Sequence, residues 1–126
     1  MDEAIRRGRM YLDAGADIIF PEALESQEEF RTYAKRVDGP LLANMTEFGK
    51  TPCLSLDELS FLGYKLVIFP VTTLRIAAKA TETALKEIRA LGTQSGLMDK
   101  MQTRTELYKL IDYDLYSETD GSFEAS

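Results

Sequence analysis

The sequence predicts an α/β fold in which parallel strands alternate with helices. Three short apolar runs typical of buried strands begin near residues 17, 41 and 65, and a helical pattern separates each run from the next. A strand–helix repeat with a period of about 24 residues indicates parallel strands joined by right-handed crossovers. The runs are continuous rather than alternating, so we expect helices to cover both faces of the sheet.

The first half of the chain contains two helix patterns and two strand patterns. Residues 2–14 carry apolar side chains at helical spacing and are followed by a glycine, which helices favour just after their last turn. The strand "ADIIFPEA" comes next. Ser26 and Glu29 then form a capping-box pattern that opens a second helix. A glycine–proline pair ends that helix, and "LLANM" at 41–45 is the second predicted strand.

The second half continues the repeat and then adds helices. "SLDE" at 55–58 is another capping-box pattern, and "YKLVIFPV" at 64–71 is the third predicted strand. Residues 73–91 form the longest predicted helix, with apolar residues along one face and a glycine after its end. "TRTE" at 103–106 repeats the capping box and predicts a further helix.

The chain therefore divides into three predicted parts. Residues 1–92 hold the strand–helix units, 93–116 the extra helices, and 117–126 a polar tail. Two architectures remain open, an open doubly wound sheet and a (β/α)8 barrel. No glycine-rich motif for binding a dinucleotide or a phosphate follows a strand. This absence counts against the open sheets that bind dinucleotides and those that contain a P-loop. Three strands are too few to close a barrel, which needs about 250 residues, so the residues predict either a small three-layer domain or a piece of a barrel.

Composition excludes several classes of function. The 126 residues contain 15 Lys and Arg against 21 Asp and Glu, a net charge of −6, which argues against a nucleic-acid partner. We find no apolar run long enough to span a membrane and no signal peptide at the start. A single cysteine suits a reducing compartment, so we expect a cytoplasmic protein. The chain has no histidine, which removes the commonest general base and metal ligand.

Polar side chains follow each predicted strand. Glu22 ends the first, Asn44 and Thr46 end the second, and Arg75 follows the third. Because the carboxyl ends of parallel strands meet at one edge, these groups favour binding of a small acidic molecule. Each also has a structural interpretation: Glu22 beside a helix dipole, Asn44 and Thr46 bonded to local backbone, and Arg75 and Arg104 as surface charges.

Four strings carry a resemblance to a known family: "GADIIFPEAL", "LLANMTEFGKTP", "YKLVIFPVTTLRIAAKA" and "GTQSGLMDKMQTRTELYKLIDYDLY". Together they resemble the 2-methylisocitrate lyases of the isocitrate lyase/phosphoenolpyruvate mutase superfamily, from Ala4 to about Tyr116. The resemblance implies that the chain is the C-terminal portion of a (β/α)8 TIM barrel, with about three β/α units and extra C-terminal helices. It also implies a homo-oligomer, a dimer of dimers or homotetramer, in which those helices are exchanged between subunits.

The family reaction is a Mg²⁺-dependent cleavage of 2-methylisocitrate to pyruvate and succinate, in the methylcitrate cycle of propionate catabolism. By resemblance, the residues that contact this tricarboxylate are Glu22, Asn44, Met45, Thr46, Arg75 and Arg104. The family's "KxCGH" loop and its Mg²⁺-binding aspartates have no counterpart, so we assign no catalytic residue or metal ligand here and expect the chain alone to be inactive. Alternatives are a carboxyphosphonoenolpyruvate phosphonomutase, a related lyase or decarboxylase, or a non-catalytic β/α interaction module.

Overall fold

The computed structural model describes residues 1–116, which fall into two compact units. The first unit is Met1–Lys79, and the second begins at Ala80. The first contains two strands and three complete helices: α1 (Asp2–Asp13), α2 (Gln27–Arg36), β1 (Leu42–Asn44), α3 (Leu56–Leu62) and β2 (Leu66–Ile68). Helix α4 (Thr72–Leu91) begins in the first unit and ends in the second. The predicted boundary after residue 92 stays a prediction.

The two strands pair in parallel, as the strand–helix repeat predicts. Leu42 lies opposite Leu66, and Asn44 lies opposite Ile68 at the carboxyl end of both strands. The predicted first strand is reduced to one bridge between Ile19 and Leu41. Proline at position 21 has no N–H to donate to a ladder, which explains why the pairing stops so early.

Side-chain caps determine where two of the first unit's helices start. At α3, the Ser55 hydroxyl accepts from Glu58 N–H at 3.2 Å and the Glu58 carboxylate accepts from Ser55 N–H at 2.8 Å, a complete capping box. At α2, Ser26 accepts from Glu29 N–H at 3.2 Å, but the Glu29 carboxylate instead takes the N–H of Glu25. The predicted box at α2 is therefore only half formed.

The core of the first unit lies between its helices and one face of the strands. It consists of buried apolar side chains: Ile5, Ile19, Leu24, Phe30, Tyr33, Val37, Leu41, Ala43, Met45, Leu59, Leu62 and Tyr64. Alternate strand side chains point to opposite faces, so Leu66 and Ile68 face away from this core and are 41% and 37% exposed. Within residues 1–116, helices therefore cover one face of this sheet, and the other face is partly exposed.

The second unit is helical. A 3₁₀ helix at Ser95–Lys100 buries Leu97, and α5 (Arg104–Leu110) follows, with a further helical turn at 113–116. Thr103 and Glu106 form the predicted capping box at the start of α5. The apolar residues of α4 include no buried side chain. Within residues 1–116, no helix combines the length with the apolar character that crossing a bilayer requires. The predicted polar tail lies outside the described residues.

Candidate functional site

The candidate site lies at the carboxyl end of the two paired strands. Both strands point the same way, so the loop after β1 and the first turn of α4 after β2 meet at this edge. Met45 N–H continues the ladder by donating to the Ile68 carbonyl at 2.9 Å. The polar run after β1 is thus attached directly to the end of the sheet.

Asn44 is the last residue of β1 and holds an unusual polar atom. Its Oδ1 is buried and has no hydrogen-bond partner among the described residues. A buried acceptor without a partner costs about 1–3 kcal/mol, so most such groups in folded proteins are paired. A ligand with a donor at this position would satisfy it, which favours the binding interpretation of Asn44 over a purely local one.

Met45 and Thr46 continue from Asn44 into the loop. Met45 is 3% exposed, and its sulfur accepts from Leu54 N–H at 3.4 Å, which ties the far end of the loop back to the core. Thr46 is half-buried at the same edge. Met45 is therefore held both by the strand ladder and by the far end of the loop.

Glu47 and Arg75 form the main polar contact of this edge. Arg75 Nη1 donates to Glu47 Oε2 at 2.5 Å and to the Glu47 backbone carbonyl at 3.1 Å. The hydroxyl of Thr72, in the first turn of α4, donates to Glu47 Oε1. The bond from Thr72 is the largest of several hydrogen bonds that lower the pKa of the Glu47 carboxyl group, and the charge of Arg75 acts in the same direction.

Phe48 completes this turn in a strained conformation. Its φ of 62° lies in the left-handed region, which side chains with a Cβ rarely occupy. The ring is 95% exposed, and the Arg75 guanidinium carbon lies 5.4 Å from the ring centroid. Because the ring is exposed, burial does not offset the cost of the strained backbone. A role in the site would explain why Phe48 lies beside Arg75 in this conformation.

Two other residues predicted to contact the substrate are Glu22 and Arg104. Glu22 is exposed and lines a cleft of about 380 Å³ beside α1, together with Arg7, Tyr11 and Phe20. It makes no hydrogen bond to Asn44 or to the other strand-end residues within residues 1–116. Arg104 is the first residue of α5, in the second unit, and its side chain is exposed.

The structure thus places Asn44, Met45, Thr46 and Arg75 at one edge of the sheet, while their role as substrate contacts stays a prediction. Glu47 and Thr72 belong to the polar strand ends in the sequence, but the family resemblance assigns neither as a substrate contact. Their position in the sequence could have indicated a role in the site. Glu47 belongs to the same polar run as Asn44 and Thr46, and Thr72 follows the next strand.

A metal site built by the protein needs several ligand side chains close together in space. Among residues 1–116, the structure brings together no group of three or more His, Cys, Asp or Glu side chains that could hold a metal ion. Magnesium prefers oxygen ligands arranged around it in octahedral geometry. The residues described here do not fit such a site.

Comparison with known proteins identifies the family. The family model for phosphoenolpyruvate phosphomutase matches residues 1–89. The chain belongs to this family. Among members of the wider superfamily, the 2-methylisocitrate lyases of Aeropyrum pernix and Halalkalibacterium halodurans are 58% and 52% identical to it over 120 residues. Those 120 residues are 95% of this chain but only 39% and 40% of the two relatives, so the chain spans about two fifths of their length.

Solved structures of the superfamily share the fold. A 2,3-dimethylmalate lyase superposes with a TM-score of 0.82 at 32% identity, covering 97% of this chain and 43% of that one. An oxaloacetate acetylhydrolase in complex with the product oxalate gives 0.85 at 27% identity, covering 98% and 43%. A phosphonopyruvate hydrolase complex with oxalate and Mg²⁺ gives 0.76 at 23% identity over 95% and 43%, and this likeness shows the fold alone. The predicted fold class, part of a TIM barrel, is confirmed.

Proposed function

We propose that this chain supplies part of the substrate pocket of a carbon–carbon lyase that cleaves 2-methylisocitrate to pyruvate and succinate. The observation that carries the proposal is its 58% identity, over 95% of its length, to a 2-methylisocitrate lyase. The strand-end geometry supports it, because an amide, a hydroxyl and a guanidinium at one edge match the carboxylates and hydroxyl of such a substrate.

Each residue has a distinct role in the proposed pocket. Rotation of the Asn44 amide exchanges Oδ1 and Nδ2, so the side chain presents an acceptor to the substrate hydroxyl or a donor to a carboxylate. The Thr46 hydroxyl donates to the same carboxylate. Met45 lies between these two residues and contacts the substrate through its backbone, while its N–H stays bonded to the Ile68 carbonyl. Arg75 and Arg104 hold substrate carboxylates with charge-assisted hydrogen bonds.

Glu22 has a different partner, because a carboxylate repels the substrate's own carboxylates. Its oxygens accept a hydrogen bond from the substrate hydroxyl. This bond orients the hydroxyl before the reaction and is broken when the proton passes to the base.

The proposed reaction breaks one carbon–carbon bond. The substrate hydroxyl loses its proton, the resulting alkoxide collapses to the carbonyl of pyruvate, and the bonding electrons leave with a succinate carbon, which an acid then protonates. The residues of this chain bind and orient the substrate for these steps. The base and the acid are proposed to lie in another part of the complete enzyme.

Magnesium is the proposed cofactor, with ligands outside the residues described here. When bound, the ion would supply stabilisation of oxyanion charge at the developing pyruvate carbonyl. Because the described residues do not fit the ion, none of the roles above depends on it.

The complete enzyme is proposed to be a cytoplasmic homo-oligomer, a dimer of dimers assembled through the C-terminal helices. Apolar side chains at the end of the described chain support this proposal by their exposure: 43% at Leu107, 67% at Leu110, 48% at Ile111 and 62% at Leu115. Burial of these groups against a second subunit would remove apolar surface from water.

A chimeric enzyme tests the proposed function. We define the lyase chimera as the 2-methylisocitrate lyase of Aeropyrum pernix with its 120 matching residues replaced by those of this chain. Pyruvate release is followed by oxidation of NADH with lactate dehydrogenase. We expect the lyase chimera to cleave 2-methylisocitrate with a kcat/KM within roughly tenfold of the parent enzyme, because substitutions compatible with the pocket leave transition-state binding largely intact.

Comparison substrates decide between this proposal and the alternatives. A kcat/KM for 2,3-dimethylmalate above that for 2-methylisocitrate would show that the pocket belongs to a different superfamily lyase. A lyase chimera that folds and assembles as the parent does, yet cleaves no tested substrate, would favour a non-catalytic module. The parent enzyme with its own segment is the matched control for expression, metal loading and assembly.

A further inference from the structure

We propose that Glu47 is a positioning residue that fixes the guanidinium of Arg75 for a carboxylate of the substrate. This inference rests on the proposed function, in which Arg75 binds such a carboxylate. Glu47 belongs to the same polar run at the end of β1, and the family resemblance assigns it no contact with the substrate.

The contacts hold Glu47 at both oxygens. One oxygen accepts from the Thr72 hydroxyl and the other from Arg75 Nη1. Thr72 and Arg75 are three residues apart in the first turn of α4, so their side chains point to the same side of the helix. The carboxylate therefore joins the loop after β1 to the helix that follows β2, and it is held in one orientation.

The same contacts leave one edge of Arg75 available. A guanidinium has five N–H donors, and both hydrogen bonds that it makes with the described residues use Nη1. The Nε and Nη2 atoms together present two parallel donors, the arrangement that binds a carboxylate through both oxygens. Glu47 thus occupies one end of the guanidinium and directs the other edge toward a ligand.

Phe48 lies beside the guanidinium. The Arg75 guanidinium carbon lies 5.4 Å from the centroid of the Phe48 ring, and the Phe48 backbone has a left-handed φ of 62°. A cation at this distance is attracted to the ring, with a small free energy where the ring is exposed. Since the ring is 95% exposed, packing against the core does not account for the strained backbone.

A rival interpretation makes the opposite prediction. If the Glu47 carboxylate competed with the substrate for Arg75, removing its charge would tighten binding. If it positions Arg75, removing its charge loosens binding. A third interpretation is a surface ion pair with no role in binding, since the side chains of Glu47 and Arg75 are 27% and 41% exposed. In that case, removing the charge of Glu47 would leave substrate binding almost unchanged.

The test uses variants of the lyase chimera. Glu47→Gln keeps the size and the hydrogen-bonding oxygen but removes the charge. We expect KM for 2-methylisocitrate to rise roughly tenfold while kcat stays within about twofold, because binding is lost and chemistry is not. Thr72→Val removes one anchor of Glu47 and should raise KM about threefold, and Thr72→Ser should restore it. Glu25→Gln, at the exposed pair with Lys50 (3.2 Å), is the matched control and should change neither value.

Succinate affinity, measured by titration calorimetry, separates this inference from the proposed function. If the unmodified chimera binds succinate without cleaving 2-methylisocitrate, and Glu47→Gln weakens succinate roughly tenfold, the proposed function fails and the positioning role stands. An unmodified chimera that cleaves normally, with KM and succinate affinity unchanged or improved by Glu47→Gln and Thr72→Val, overturns the positioning role alone. A loss of kcat with a lowered melting temperature and unchanged KM overturns it too, and absence of both cleavage and succinate binding overturns both proposals.

Discussion

Asn44→Leu is expected to stabilise the lyase chimera while it removes most of the activity. The Oδ1 of Asn44 is buried without a partner among the described residues, and such an acceptor costs about 1–3 kcal/mol. Leucine has the same number of side-chain heavy atoms, branches at the same carbon and brings no polar group. Allowing for some overpacking by its methyl groups, we expect a net gain of about 1 kcal/mol, or roughly 2–4 °C in Tm.

The same substitution removes the hydrogen bond that we propose between Asn44 and the substrate. A bond with a charged partner is worth about 1.5–3 kcal/mol, so kcat/KM should fall by roughly 10- to 150-fold. Thermal unfolding without ligand and steady-state kinetics are measured on one preparation. Thr46→Val is the matched comparison, because it removes a proposed substrate contact of the same strand end without relieving a buried unpaired atom. It should lower kcat/KM without raising Tm. If Asn44→Leu lowers Tm and leaves kcat/KM unchanged, Asn44 is a structural residue and our reasoning about its buried oxygen is wrong.

Three further predictions concern packing, substrate binding and assembly. A methyl group on Gly8 would lie 2.3 Å from the Tyr33 hydroxyl oxygen, so Gly8→Ala should destabilise the lyase chimera by about 1–3 kcal/mol in thermal unfolding. Adding Tyr33→Phe should recover part of that loss, whereas strictly additive effects would exclude the clash. Arg75→Ala should lower kcat/KM for 2-methylisocitrate by roughly 10- to 150-fold, and a near-normal value would identify a surface arginine. Replacing Leu107 and Ile111 together with Asp should dissociate the full-length oligomer in sedimentation experiments, and an assembly that survives with full activity would contradict the exchanged-helix proposal.

Local chemistry explains the parts of the fold that the sequence predicts well. The Ser55 and Thr103 capping boxes are formed by residues three positions apart, so the pattern in the sequence contains the whole interaction. Parallel pairing of β1 and β2 follows similarly, because a helix between two apolar runs leaves few other topologies. The apolar run that ends at Pro21 shows the limit of this reasoning. Its length predicted a strand, but among the described residues it pairs with the next strand segment only through the bridge between Ile19 and Leu41.

The candidate site shows a second limit. The sequence analysis placed Asn44, Thr46 and Arg75 at strand ends, and the structure brings these strand ends to one edge. It did not find the contacts of Glu47 with Thr72 and Arg75, because those residues are 25 and 28 positions away and no local pattern joins them. These contacts depend on how the loop after β1 and the first turn of α4 lie in space, which local sequence patterns do not contain.

The central claim is that the strand ends of this chain hold the carboxylates of the substrate. A crystal structure of the lyase chimera with succinate tests this most directly. We predict that succinate oxygens lie within about 3.2 Å of polar atoms of Asn44, Thr46 and Arg75, with Glu47 still bonded to Arg75 Nη1. Succinate bound elsewhere in the barrel, with no succinate oxygen near Asn44 Nδ2 and with Arg75 bonded only to Glu47, would contradict the claim.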